Sequence, residues 1–160
     1  NGISKLKVDI VGLNGKTYSL KLNLDKRTGS SGHELARKLI ALNLPSETVY
    51  EEVTLPGTGK PSLRADFFLP KIGFLIEIHG RQHYEYVPHF HKNKHGFLAS
   101  KKRDLTKRQW CELNNIMYVE LPYNVTEDWG RIIASAVSTN RGNSESDRGT
   151  EDESRDSNSD

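Results

Sequence analysis

The chain has one cysteine, Cys111, one methionine and two tryptophans among its 160 residues. A single thiol excludes an internal disulfide and fits a reducing compartment. Set between Trp110 and Leu113 in a helical pattern, Cys111 is expected to be a small core residue rather than a nucleophile. No apolar run approaches the roughly 20 residues that a membrane-spanning helix needs, so a soluble protein with no membrane partner is expected. The basic, apolar, small-residue order of a secretory signal is also lacking. The first residue is Asn1 rather than Met, so the chain reads as a trimmed or excised piece of something longer. Net charge is small too, +2 from 23 Lys and Arg against 21 Asp and Glu. That balance hides an asymmetry: from Thr139 onward seven acids face three arginines, a net −4, so residues 1–138 carry +6. A basic body beside an acidic, aromatic-free tail has two readings, a polyanion partner for the body or ordinary surface charge.

A chain of this length is of a size for one domain with an appendage. The segment KLKVDIVGLNGKTYSLKLNL alternates on either side of Asn14-Gly15, a pair that tolerates positive φ and marks a β-hairpin. Leu6, Val8 and Ile10 then share one face of its first strand. Thr28 to Gly32 reads as a loop and helix start, and HELARKLIALNL places Leu35, Leu39 and Leu42 at helical spacing before Leu44-Pro45 ends the run. Glu34 falls in the first turn, where the helix dipole alone accounts for an acid. SETVYEEVTL supplies a strand, and the helical pattern returns from Leu98 with Leu105, Trp110, Cys111 and Leu113 as its apolar positions. IMYVEL is a further strand stopped by Pro122, and Thr126 is the expected cap of a last helix. Beyond Ser138 no large apolar residue remains, and such a tail cannot offset the entropy of ordering. The expected fold class is α/β, a mixed β-sheet flanked by helices. Residues 1–27 form the N-terminal hairpin, 28–138 the core domain and 139–160 a disordered acidic tail.

The densest chemistry lies in RADFFLPKIGFLIEIHGRQHY, Arg64 to Tyr84. Two apolar runs each carry one acid, Asp66 and Glu77, and are joined by a turn at Pro70-Lys71. Short apolar runs bounded by Pro and Gly read as two buried strands. Carboxylates held together are costly unless a cation binds between them, and Mg2+ prefers such oxygens. His79 and His83 follow and titrate near neutrality, while Gln82 could orient water or hold phosphate. Five of the six histidines, His79, His83, His89, His91 and His95, lie between residues 79 and 95, which keeps open a zinc-stabilised interaction module, although no cysteine pair accompanies them. From Lys92 to Arg108 runs the most basic segment, suited to phosphate contacts. Asp104 and Lys107 stand one turn apart there, a spacing that a surface ion pair explains adequately.

The runs RADFFLP, LIEIHGRQHYE and RDLTKRQWCELNNIMYVELPY together resemble the PD-(D/E)XK nuclease superfamily. More narrowly they are similar to the branch of very-short-patch-repair-like endonucleases and the phage-associated EDxHD homing-type nucleases. The resemblance spans about residues 28–135 and implies a restriction-endonuclease-like core. It implies metal ligation by Asp66 and Glu77, with Glu34 and Asp104 as supporting acids. His83 becomes the leading general base or acid, with Gln82, Lys107 and His79 as auxiliaries. The family pattern has a Lys, or in this branch an Asp, where this chain has His79, so either the cationic role passes to His83 or Lys107 or the site is weakened. The implied activity is Mg2+- or Mn2+-dependent hydrolysis of phosphodiester bonds in DNA. Arg64, Arg81, Lys92, Lys94, Lys101, Lys102, Arg103 and Arg108 are the expected nucleic-acid contacts, which give affinity without sequence information. A homodimer or a larger phage or repair assembly, in an intracellular and phage-encoded setting in a bacterial host, belongs to the same expectation. Two alternatives stand beside it: a nuclease-like fold that binds DNA as an accessory subunit without cutting, and the zinc module.

Overall fold

The computed structural model describes residues 5–27, 29–81 and 94–142. Strands β1 (Lys5–Val11) and β2 (Thr17–Asn23) pair antiparallel, from Lys5↔Asn23 to Val11↔Thr17. Gly15, at φ +83°, takes the turn conformation that the Asn-Gly pair predicts. The first helix, α1 (Ser31–Asn43), is capped by the Ser30 hydroxyl, which accepts from the His33 amide at 3.2 Å. A four-stranded sheet follows in the order β3 (Tyr50–Leu55), β4 (Leu63–Leu69), β5 (Phe74–His79), β6 (Met117–Pro122). Its first three strands are antiparallel neighbours, and β6 runs parallel to β5 after the crossover helix α2 (Lys94–Leu113). This is the mixed sheet flanked by helices that the sequence predicts.

Each face of the sheet has its own core. On one face Ala36, Ile40 and Leu44, with Trp129, Ile133 and Val137, pack on Phe67, Leu69, Phe74, Ile76, Val119 and Leu121. On the other, Ile10, Leu20 and Leu22 of the hairpin and Trp110 and Cys111 of α2 cover Tyr50, Val53, Leu55, Ala65, Phe68 and Leu75. The N-terminal hairpin is therefore half of a covering layer. The Asn114 side chain pins it, accepting from the Val11 amide at 2.8 Å and donating to the Val11 carbonyl at 2.9 Å. Gly12 and Gly57 bring the hairpin against the β3–β4 turn so closely that a Cβ on Gly12 would lie 2.8 Å from the Gly57 Cα.

Three sequence expectations are corrected. Helix α1 buries Ala36 and Ile40 and leaves Leu42 77% exposed, because the small Ala36 lets the helix approach the sheet and fixes its rotation one residue away from the leucine stripe. Leu98, Leu105 and Leu113 of α2 are likewise exposed, and only Trp110 and Cys111 of that helix are buried. Thr126 caps nothing: Tyr123–Asp128 is a 3-10 turn with no side-chain cap, kinked at Val125, and the helix proper, α3, spans 129–142. It continues past Ser138, where the apolar residues end.

Burial pushes the Cys111 thiol up to about 12. The folded protein is accordingly expected to leave Cys111 unmodified by a thiol reagent at pH 8 over hours, with one equivalent reacting after denaturation. Rapid native-state reaction would show that α2 does not hold this thiol in the core.

Candidate functional site

Strands β4 and β5 pair through Leu69↔Phe74, Phe68↔Leu75 and Phe67↔Ile76, and beyond that point side chains take over from the backbone ladder. The Asp66 amide donates to Glu77 Oε2 at 3.0 Å, and the Ile78 amide donates to Asp66 Oδ2 at 2.8 Å. Each acid thus caps a backbone group of the other strand, which satisfies amides that would otherwise be orphaned and holds the two carboxyl groups side by side.

The neighbouring strand breaks its alternation at the same level. The β3–β4 register is unchanged from Tyr50↔Phe68 to Leu55↔Leu63 but passes over Glu52 and Asp66. Tyr50 and Val53 face one core although they are three residues apart, and so do Ala65 and Phe68. Glu52 accounts for the step, with left-handed backbone at φ +53°, an uncommon state for a side chain of this size that clusters at functional sites. Glu51 is thereby turned inward to a two-point ion pair with Arg37, at 2.6 and 2.8 Å. The pairing holds the Arg37 guanidinium above its ordinary range.

A cleft of about 380 Å³ opens where the strands part. Ser30, Gly32 and His33 from the start of α1, Arg64 and Asp66 from β4, Glu77 and Ile78 from β5, Gly80, and Lys107 from α2 line it. Lys107 Nζ donates to Glu77 Oε1 at 2.6 Å. Glu77 is only 3% exposed, and that burial raises its pKa above the carboxylate norm, with Lys107 pulling back and the Asp66 charge pushing further up. His33 approaches from the other side, with Nε2 3.2 Å from Asp66 Oδ1 and 3.8 Å from Glu52 Oε2, while Nδ1 lies 2.7 Å from the Ser30 hydroxyl.

The cleft therefore gathers Asp66, Glu77, Lys107 and Arg64 from among the residues that the sequence singled out. Glu34 is not there. It is exposed, within electrostatic reach of Arg37, and the helix rotation that buries Ala36 and Ile40 turns His33 to the cleft instead. Asp104 is half-buried and near Tyr118, and it does not line the cleft. His79 is 2% exposed and lies outside the cleft, with Nε2 2.6 Å from the Tyr118 hydroxyl and Nδ1 3.8 Å from Glu120. Burial pushes the Tyr118 phenol far above its usual range, so the phenol stays protonated in this contact. Lys94, Lys101, Lys102, Arg103 and Arg108 are exposed along α2, and Arg81 is exposed just past Gly80. Arg108 also bonds Glu120 at 2.6 Å and stacks over Tyr118. Gln82, His83, Lys92, His89 and His91 lie outside the described residues.

Sequence reasoning missed His33 and Glu52. Among the described residues, one atom from each of His33, Glu52 and Asp66 falls within 4.8 Å of the others, which makes them a grouping able to hold a metal ion. A Ser-x-x-His at the start of a helix was the available signal for the first. Nothing in the sequence marks the left-handed backbone of Glu52.

No family model matches the chain, and no solved structure matches it. Sequence relatives are viral. The uncharacterized protein 307L of Invertebrate iridescent virus 6 is 41% identical over 75 residues, which are 47% of this chain and 38% of that protein. Protein 033L of Invertebrate iridescent virus 3 is 39% identical over 70 residues, 44% of this chain and 36% of the relative. Protein 094L of Frog virus 3 is 37% identical over 79 residues, 49% of this chain and 50% of the relative. The chain thus spans half or less of the length of these relatives, which by their names are viruses of invertebrates and frogs rather than of bacteria.

Proposed function

We propose that this chain is a metal-dependent endonuclease, a restriction-endonuclease-like form of the α/β core that hydrolyses phosphodiester bonds in DNA. The observation that carries the reading is the interlock of Asp66 and Glu77 at the point where β4 and β5 separate, with the Lys107 ammonium on Glu77. The carboxylate oxygens of the cleft suit a hard divalent cation such as Mg2+ or Mn2+. Bound there, such an ion would polarise a phosphodiester and lower the pKa of water.

The chain's own groups have distinct tasks. Asp66 and Glu77 hold the cation, their orientation fixed by the amides that they accept from each other's strand. Lys107 favours the ionised form of Glu77 and places a positive charge on the cleft wall, where it can steady the attacking water or a phosphate oxygen. Arg64, 67% exposed at the same wall, and the basic residues of α2 meet the DNA backbone. His83 as general base and Gln82 as a holder of water or phosphate remain part of the proposal through the family resemblance, as does assembly into a homodimer or larger complex. One observation favours the accessory-subunit alternative: His79, at the family's Lys position, is engaged with Tyr118 away from the cleft.

Incubation with supercoiled plasmid separates the two readings. Nicked and linear product with Mg2+ or Mn2+, abolished by EDTA, is expected. Salt-sensitive binding of DNA with no nicking under either ion would favour the accessory reading and overturn this one.

A further inference from the structure

We propose that His33, Glu52 and Asp66 form a metal site with one nitrogen and two carboxylate donors, which makes the cleft selective for a divalent first-row transition ion over Mg2+. The inference deepens the nuclease reading and rests on it for the ion's role in cleavage, while the site itself stands on geometry.

Three donor atoms converge from three elements: Nε2 of His33 from α1, an oxygen of Glu52 from β3 and Oδ1 of Asp66 from β4. Adjacent donors on an octahedral ion with bonds of about 2.1 Å lie about 3 Å apart. The 3.2 Å from His33 to Asp66 already meets that spacing, and the 3.8 Å from His33 to Glu52 needs only a small side-chain closure. Each residue is also anchored through its second polar atom, so the first is left to face the common point. His33 Nδ1 is held by the Ser30 hydroxyl at 2.7 Å and Asp66 Oδ2 by the Ile78 amide at 2.8 Å, while Glu52 Oε1 faces the exposed Arg64 in a looser ion pair at 3.6 Å. Outer partners that fix the far atom of a ligand are the usual support of a metal site.

Ser30 also lets the site change state without moving backbone. Its hydroxyl can donate to Nδ1, which leaves Nε2–H to bond Asp66 when no ion is present. By accepting from Nδ1–H instead, it frees the Nε2 lone pair for a cation. Imidazole suits the ions from Fe2+ to Zn2+ best, and Mn2+, the weakest binder of the row, is the least favourable case for the site, whereas Mg2+ is held by oxygen and water. The left-handed backbone of Glu52 brings the third donor into range.

Mn2+ is the probe. Titration of the full chain, read by the electron paramagnetic resonance of free Mn2+ with Mg2+ as competitor, is expected to give one equivalent bound at least tenfold tighter than Mg2+. Pulsed measurements on bound Mn2+ should show nitrogen coupling that disappears in His33→Gln. The same variant should lose at least tenfold in Mn2+ affinity and less than threefold in Mg2+ affinity. Bound Mn2+ without nitrogen coupling, equal affinity for the two ions, or His33→Gln behaving as wild type would each overturn the site. If His33→Gln does not fold, the nitrogen coupling of the wild type decides. Cleavage is not part of this readout. A protein that binds Mn2+ through His33 but leaves plasmid intact removes the nuclease reading and keeps the site. Mg2+-driven cleavage with no nitrogen on bound Mn2+ does the reverse.

Discussion

Asp66→Ala is expected to reduce plasmid cleavage by on the order of a thousandfold or more, equivalent to about 4 kcal/mol of transition-state stabilisation. The carboxylate serves both sides of the cleft. Oδ1 faces His33 and Oδ2 accepts from the Ile78 amide, so its removal takes the proposed cation ligand and also frees the end of β5 that positions Glu77. The accompanying loss of stability is expected to be smaller, about 1–2 kcal/mol, because the Ile78 amide loses its acceptor next to a cleft that water can enter. DNA affinity measured at constant salt should change little, since the proposed phosphate contacts belong to the basic residues. Cleavage retained within tenfold of wild type would overturn the metal-dependent reading, and an equal loss of binding would show that Asp66 supports the fold rather than the chemistry.

Lys107→Met should be costly in a pH-dependent way. The substitution keeps the aliphatic stem and removes the ammonium that bonds Glu77 Oε1. Breaking a buried ion pair by deleting one partner costs about 3 kcal/mol when the remaining charge cannot reach water, and Glu77 is nearly fully buried. Burial already raises the folded pKa of Glu77, Lys107 restrains the rise, and its removal carries the pKa higher. The folded state therefore binds a proton more tightly than the unfolded chain, whose glutamate titrates near about 4.3. Stability from this group is greatest below that value and falls as pH rises through the folded pKa. Urea denaturation should show the full cost of Lys107→Met at pH 8 and most of it relieved near pH 4.5, where Glu77 is protonated in the variant. An equal cost at both pH values would mean that Lys107 acts by packing and not by charge. Cleavage should fall as well, because the cleft loses its wall cation.

Asp66 and Glu77 were legible because antiparallel register across a short turn is set by chain length alone. Apolar runs on either side of Pro70–Gly73 can pair in few ways once one face must be buried, and the pairing Phe67↔Ile76 leaves the two acids as neighbours. The hairpin around Asn14-Gly15 followed from the same local logic. Lys107 needed the family resemblance, since an Asp-x-x-Lys turn by itself reads as a surface pair.

The remaining half of the cleft was decided by packing. Which of His33 and Glu34 faces the strands depends on the rotation of α1, about 100° per residue, and the seating of Ala36, Ile40 and Leu44 on the sheet sets it. His79 shares a strand face with Glu77, yet Tyr118 and Glu120 arrive on β6 through the α2 crossover and draw it away. Glu52, with its left-handed backbone, comes within 3.8 Å of His33 at the edge of the grouping with Asp66. Spacing along the chain determines which side chains can be neighbours within a hairpin or along a helix. Contacts between elements fix their rotation and backbone sign, which is why the sequence alone determined the paired acids and only the tertiary structure decided that a histidine, a glutamate from β3 and a lysine from α2 would surround them.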